Sequence, residues 1–101
     1  MAGAAVAIAI AMPGDNPEWD AYDEGRAAER ILVAAGALGL GAGIGWVVGA
    51  NRAEVAALLD LTPPAFVRTI ISLGHPTEAA RRPRSAPGTA RRPLADFVWE
   101  R

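Results

Sequence analysis

The chain has 101 residues, 51% of them hydrophobic, and a formal net charge of −1, which bounds it at one small domain with no bulk attraction to nucleic acid or to an anionic membrane. It contains no cysteine, no lysine and one histidine, His75, which excludes disulfides, thiolate nucleophiles, Schiff-base chemistry, P-loop phosphate binding and imidazole-rich metal sites. Arginine is left as the sole cationic clamp for an anion.

Residues 3–12 read as an interior strand, because Val6, Ile8 and Ile10 alternate with alanines up to a turn at Pro13-Gly14-Asp15. No positive charge precedes this apolar stretch, so it reads as a strand rather than a secretory signal. Asp15 or Asn16 is placed to cap a helix, and Pro17 suits its first turn. That helix is expected from Glu18 to Leu40, with Ala27, Ile31, Ala34 and Leu38 on one apolar stripe widened by Ala28, Leu32 and Ala35. Its acidic opening, including Asp20, Asp23 and Glu24, fits the positive end of the helix dipole, and nothing in the sequence points to burial of these carboxylates. Alanine, abundant here, gives helix propensity and close approach but little area per residue, so a second chain is expected to complete much of the core.

From Gly41 to Gly49 glycine alternates with apolar residues, which predicts an irregular or extended stretch. Asn51 and Glu54 have the spacing of a capping box at the start of a short helix, Arg52 to Leu61, ended by Pro63-Pro64. Phe66 to Leu73 is a β-branched run of strand length, closed by the Gly74-His75-Pro76 turn, where His75 reads as structural. The Pro-, Ala- and Arg-rich residues 77–90 predict an exposed arm, and Pro93 to Trp99 a last short helix or an extended tail. Trp46 and Trp99 read as core or interface anchors.

Three signals compete for the function. Ile31 to Ala50 is uncharged for twenty residues and carries small-xxx-small spacings, as a membrane span can. It is nevertheless rich in alanine and glycine, which insert weakly. The Gly39-Leu40-Gly41-Ala42-Gly43 run is no dinucleotide fingerprint, since a helix ends at it where a strand should. Alternating glycine instead lets backbone amides approach a flat or crowded partner or lets two subunits pack closely, and the residues alone leave ligand and packing both open. The cluster Arg81, Arg82, Arg84, Arg91 and Arg92 is suited to phosphate through forked hydrogen bonds, although most such runs are solvated loops. It lacks interleaved aromatics, so nucleic acid is not the expected partner.

Taken in order, several segments resemble the C-terminal half of the FMN-dependent nitroreductase family. They are the helix Tyr22-Asp23-Glu24-Gly25-Arg26-Ala27-Ala28-Glu29-Arg30-Ile31-Leu32-Val33-Ala34-Ala35, the Leu-Gly-Leu-Gly turn followed by Trp46, and the helix ending Leu58-Leu59-Asp60-Leu61. The strand closing in Leu73-Gly74-His75-Pro76 and the tail Arg91-Arg92-Pro93-Leu94-Ala95-Asp96-Phe97 complete the match. The resemblance implies an α+β nitroreductase-like half-domain, with residues 1–76 as the core fragment and 77–101 as the arm and tail. It also implies a homo- or hetero-oligomer with a second nitroreductase-like chain and FMN at the subunit interface. NAD(P)H and a small nitro or quinone-type acceptor would serve as substrates, and the cytoplasm, with no membrane, would be the location. Trp46, Val47, Val48 and Gly49 would lie against the isoalloxazine ring, with an amide near Val48 or Gly49 facing the flavin N5 side. Arg91 would grip the phosphate, and Thr89 stands where the family commonly has lysine.

No side chain is marked as a catalytic acid or base, in keeping with a flavin carrying the chemistry. The family's arginine- and serine-rich N-terminal segment has no counterpart before Met1. The expectation is therefore a split enzyme, a truncated one, or a relic that keeps the packing without the flavin. The rival readings are a non-catalytic interaction subunit that pairs with a flavoprotein and a small membrane-associated helical protein.

Overall fold

The structure is a computed structural model that describes residues 4–86, 88, 89 and 92–99. It is an α+β domain built on a three-stranded antiparallel sheet of order β1-β3-β2, with β1 Val6–Met12, β2 Gly41–Trp46 and β3 Phe66–Gly74. A long helix α1, Pro17–Ala37, joins β1 to β2, and a short helix α2, Arg52–Leu58, joins β2 to β3. The last strand in sequence thus occupies the centre and both other strands are edges, so β1 is an edge strand with Val6 exposed and not the interior strand expected from its apolar alternation.

The start of α1 follows from its residues. The Asn16 side chain accepts from the amides of Glu18 (3.1 Å) and Trp19 (3.2 Å), two donors that have no partner inside the helix, and Pro17 follows as the first helical residue. The helix ends at Ala37 rather than Leu40, because Gly39 takes a left-handed φ of 71°. This lets Leu40 N donate to Ala35 O at 2.8 Å and Gly39 N to Gly36 O at 3.1 Å, a Schellman closure that glycine at this position makes inexpensive.

One face of the sheet packs against α1. The core joins Ile10 and Met12 of β1, Ile71 of β3 and Ala28 of α1, with Ala27, Ile31, Leu32, Phe66 and Leu73 around it. The buried line of α1 is Asp20, Glu24, Ala28 and Ala35, rotated from the expected apolar stripe, and Ala34 and Leu38 are exposed. Alanine at Ala28 and Ala35 lets the helix sit close to the sheet, so the contact is set by fit more than by apolar volume.

Of the irregular or extended forms expected from Gly41 on, residues 41–46 take the extended one, an edge strand with Gly41, Gly43 and Gly45 on one face and Ala42, Ile44 and Trp46 on the other. Other expectations need correction. Asn51 forms no side-chain cap, so the capping box with Glu54 is not made; Asn51 instead lies in the 3-10 turn Gly49–Asn51 that leads into α2. Helix α2 stops at Leu58, and Asp60 follows with a φ of 54°. Trp46 and Trp99 are both exposed, so neither is a core residue of this chain. The arm carries a one-turn helix α3, Glu78–Arg81, capped by the Thr77 hydroxyl, and the tail a 3-10 turn at Leu94–Asp96.

The membrane reading finds no continuous rod. The uncharged window from Ile31 to Ala50 is divided among the end of α1, a turn, β2 and the 3-10 turn. Among the described residues no helix is long and apolar enough to cross a membrane.

Candidate functional site

The pairing of β1 with β3 steps from Ile10↔Thr69 to Ala11↔Val67, so Arg68 is an extra residue with no β1 partner. In a regular strand Arg68 and Thr69 would point to opposite faces. A bulge re-aims one of them, and here both side chains reach the same carboxylate, Glu24 of α1. Arg68 Nε donates to Glu24 Oε2 at 3.0 Å, Arg68 Nη2 donates to the same oxygen, and Thr69 Oγ1 donates to Glu24 Oε1. Glu24 is 3% exposed, and Asp20, one turn earlier, is buried with its Oδ2 accepting from Gly14 N at 3.0 Å. Asp23, between them, is exposed and pairs with Arg26 at 3.5 Å.

The charge balance around Glu24 has a clear direction. Burial disfavours its ionised form, but hydrogen bonds from Arg68 and Thr69 and the charges of Arg68 and Arg52 outweigh that effect and hold its carboxyl below the usual 4.5. The Glu24 hydrogen bonds in turn raise the Arg68 guanidinium above its usual value, against its own desolvation. Among the described residues, no buried side-chain polar atom is left without a partner.

Beside this pair lies an open groove of about 580 Å3. It is lined by Ala28 and Leu32 of α1 and Ile44 and Trp46 of β2, together with Glu24, Arg68, Thr69 and Arg52. Trp46 is 73% exposed. Such an apolar trough with a few convergent polar groups is the usual form of a small-molecule or partner site.

The sequence-predicted ring contacts lie at the end of β2. Val47 is buried, and its amide donates to Arg68 O at 2.7 Å while its carbonyl accepts from Arg52 Nε at 3.3 Å. Val48 and Gly49 are exposed, and among the described residues their amides make no hydrogen bond. A Cβ at Gly49 would meet nothing within 4 Å. Gly41 and Gly43 have a different role: a Cβ there would lie 3.2 Å from Pro76 Cβ and 3.1 Å from Ser72 Oγ, so these glycines serve the chain's own packing.

Arg91 lies outside the described residues. The Thr89 hydroxyl donates to Ala86 O at 2.6 Å, which commits its proton within the arm. The Glu24–Arg68–Thr69 cluster was not legible in the sequence. Its one local signal was the i, i+4 run Asp20, Glu24, Ala28, which places two acids on the line of a core alanine. No protein-family model, curated protein or solved structure matches this chain.

Proposed function

We propose that this chain is the C-terminal half of a nitroreductase-like flavoprotein, an FMN-dependent NAD(P)H oxidoreductase acting on nitro or quinone-type acceptors once a second chain completes it. The observation that carries the reading is the end of β2, where the unpaired amides of Val48 and Gly49 lie next to the exposed faces of Trp46 and Val48. A main-chain donor stabilises an electron-rich reduced ring without adding a group that titrates. FMN, when bound, would supply the hydride chemistry, and Trp46, Val47, Val48 and Gly49 would bind and orient it. Arg91, with Arg92 beside it in sequence, is the candidate for the phosphate.

Exposed apolar side chains support the second chain. Trp19, Tyr22, Val33, Leu38, Leu58 and Trp99 are among the large apolar side chains exposed. The same surface favours the second reading, a non-catalytic subunit that pairs with a flavoprotein.

Spectroscopy of the purified chain, alone and after titration with FMN, separates the two. Flavin absorbance that is retained on the protein and released by denaturation supports the oxidoreductase half. A colourless chain that co-purifies in fixed ratio with a flavoprotein and takes up no FMN of its own supports the interaction subunit.

A further inference from the structure

We infer that Glu24 and Arg52 are positioning residues for the Val48–Gly49 amides, acting through the two peptide groups of Val47. As a role in flavin binding the inference rests on the reading proposed above; as a coupling within the chain it stands on geometry alone.

The connection can be followed atom by atom. Glu24 fixes the Arg68 guanidinium from across the α1–sheet interface, and the bulge at Arg68 sets where its carbonyl points. That carbonyl takes the Val47 amide at 2.7 Å, one residue beyond the last β2–β3 pair, Trp46↔Thr69. On the other side of the same residue, Arg52 Nε donates to Val47 O at 3.3 Å. Both guanidinium groups lie over the Phe66 ring, at 5.9 Å for Arg52 and 5.8 Å for Arg68. Val47 is therefore held through both its donor and its acceptor, and its side chain is 7% exposed. The next two residues continue from this anchored point into the turn in which Asn51 N donates to Val48 O at 2.9 Å. A regular strand without the extra residue could not send both Arg68 and Thr69 to Glu24, so the bulge is the element that joins the buried carboxylate to Val47 and the turn that follows it.

The groups facing Glu24 are few. Asp20 and Glu29 share its helix, Arg68 comes from β3 and Arg52 from α2, while β1 and β2 carry no titratable side chain. Protonating Glu24 therefore releases Arg68 from its only strong partner among the described residues.

The test uses the full-length chain, 15N-labelled, with no flavin added. On acidification the Val48 and Gly49 amide resonances should move in one step, with a midpoint below the ordinary carboxylate range, and the step should be absent in Glu24→Gln. At constant neutral pH, Arg52→Met should displace the same two resonances and leave those of β1 in place. If either folded variant leaves Val48 and Gly49 where they are in the parent chain, the coupling is refuted for that residue. Should Glu24→Gln fail to fold, the acid titration of the parent chain and the Arg52→Met spectrum decide the matter by the same criterion. FMN titration is then read separately. A roughly tenfold weaker Kd in Arg52→Met, about 1.4 kcal/mol, is expected if the amides hold the ring. An intact coupling with FMN Kd unchanged in Arg52→Met would refute the placement of the ring at these amides and leave the positioning roles standing.

Discussion

The cost of removing Glu24 can be worked from its surroundings. The carboxylate is nearly inaccessible, accepts two hydrogen bonds from Arg68 and one from Thr69, and faces an Arg68 side chain that is 29% exposed. Breaking a buried ion pair by deleting one partner costs about 3–5 kcal/mol. Arg68 recovers part of its hydration through its exposed portion, which places Glu24→Ala near the lower end, about 3 kcal/mol. Glu24→Gln keeps the shape and an acceptor for Thr69 but loses the charge, and should cost about 1.5 kcal/mol. For a domain of this size that is a fall in Tm of about 6–12 °C. Thermal and urea unfolding at fixed protein concentration would measure it, with Asp23→Asn as a solvent-exposed control expected within about 0.5 kcal/mol of the parent. If Glu24→Gln and Glu24→Ala both unfold within that same margin, the buried pair contributes nothing and the account of the α1–β3 contact is wrong.

Three further outcomes are expected. Because the folded-state pKa of Glu24 lies below its value of 4.5 in the unfolded chain, its contribution should be complete above that value and lost as pH falls through the folded one; urea midpoints measured from pH 7 downward should show that loss in the parent and not in Glu24→Gln. Gly14→Ala should destabilise by about 2–4 kcal/mol, since Gly14 has a φ of 82° and an added Cβ would collide with the Pro64 carbonyl; a chevron or equilibrium melt that matches the parent would contradict the turn geometry. Gly49→Val, by contrast, enters open space and should leave stability within about 0.5 kcal/mol, while FMN affinity falls by about 1–3 kcal/mol through loss of amide contact. Normal FMN binding in that variant, followed by fluorescence quenching, would move the ring site elsewhere.

Much of the local structure was already written in the residues. The alternation of Val6, Ile8 and Ile10, the Asn16-Pro17 start of α1 and the β-branched run from Phe66 each specify their element through contacts a few residues apart. These are short-range effects of pleat, capping and side-chain branching, and they hold wherever the segment is placed. The Asn51–Glu54 spacing was equally local and still failed, because the chain enters α2 through a 3-10 turn with Asn51 at φ −99° and ψ −3°, outside the extended geometry that a capping side chain needs.

Tertiary structure alone decided the rest. The β1-β3-β2 order, the extra residue at Arg68 and the burial of Glu24 all depend on where β3 passes under α1, and the Glu24–Arg68 contact joins residues 44 apart in sequence. A carboxylate in the first turns of a helix reads as solvated until something covers it. What covers Glu24 is a guanidinium brought from another strand, and a charge becomes favourable in the interior only when its partner is already there. The sequence by itself therefore determined the elements and their caps, while the assembled sheet determined which acid is buried, which glycines face the chain's own side chains, and which amides are left free.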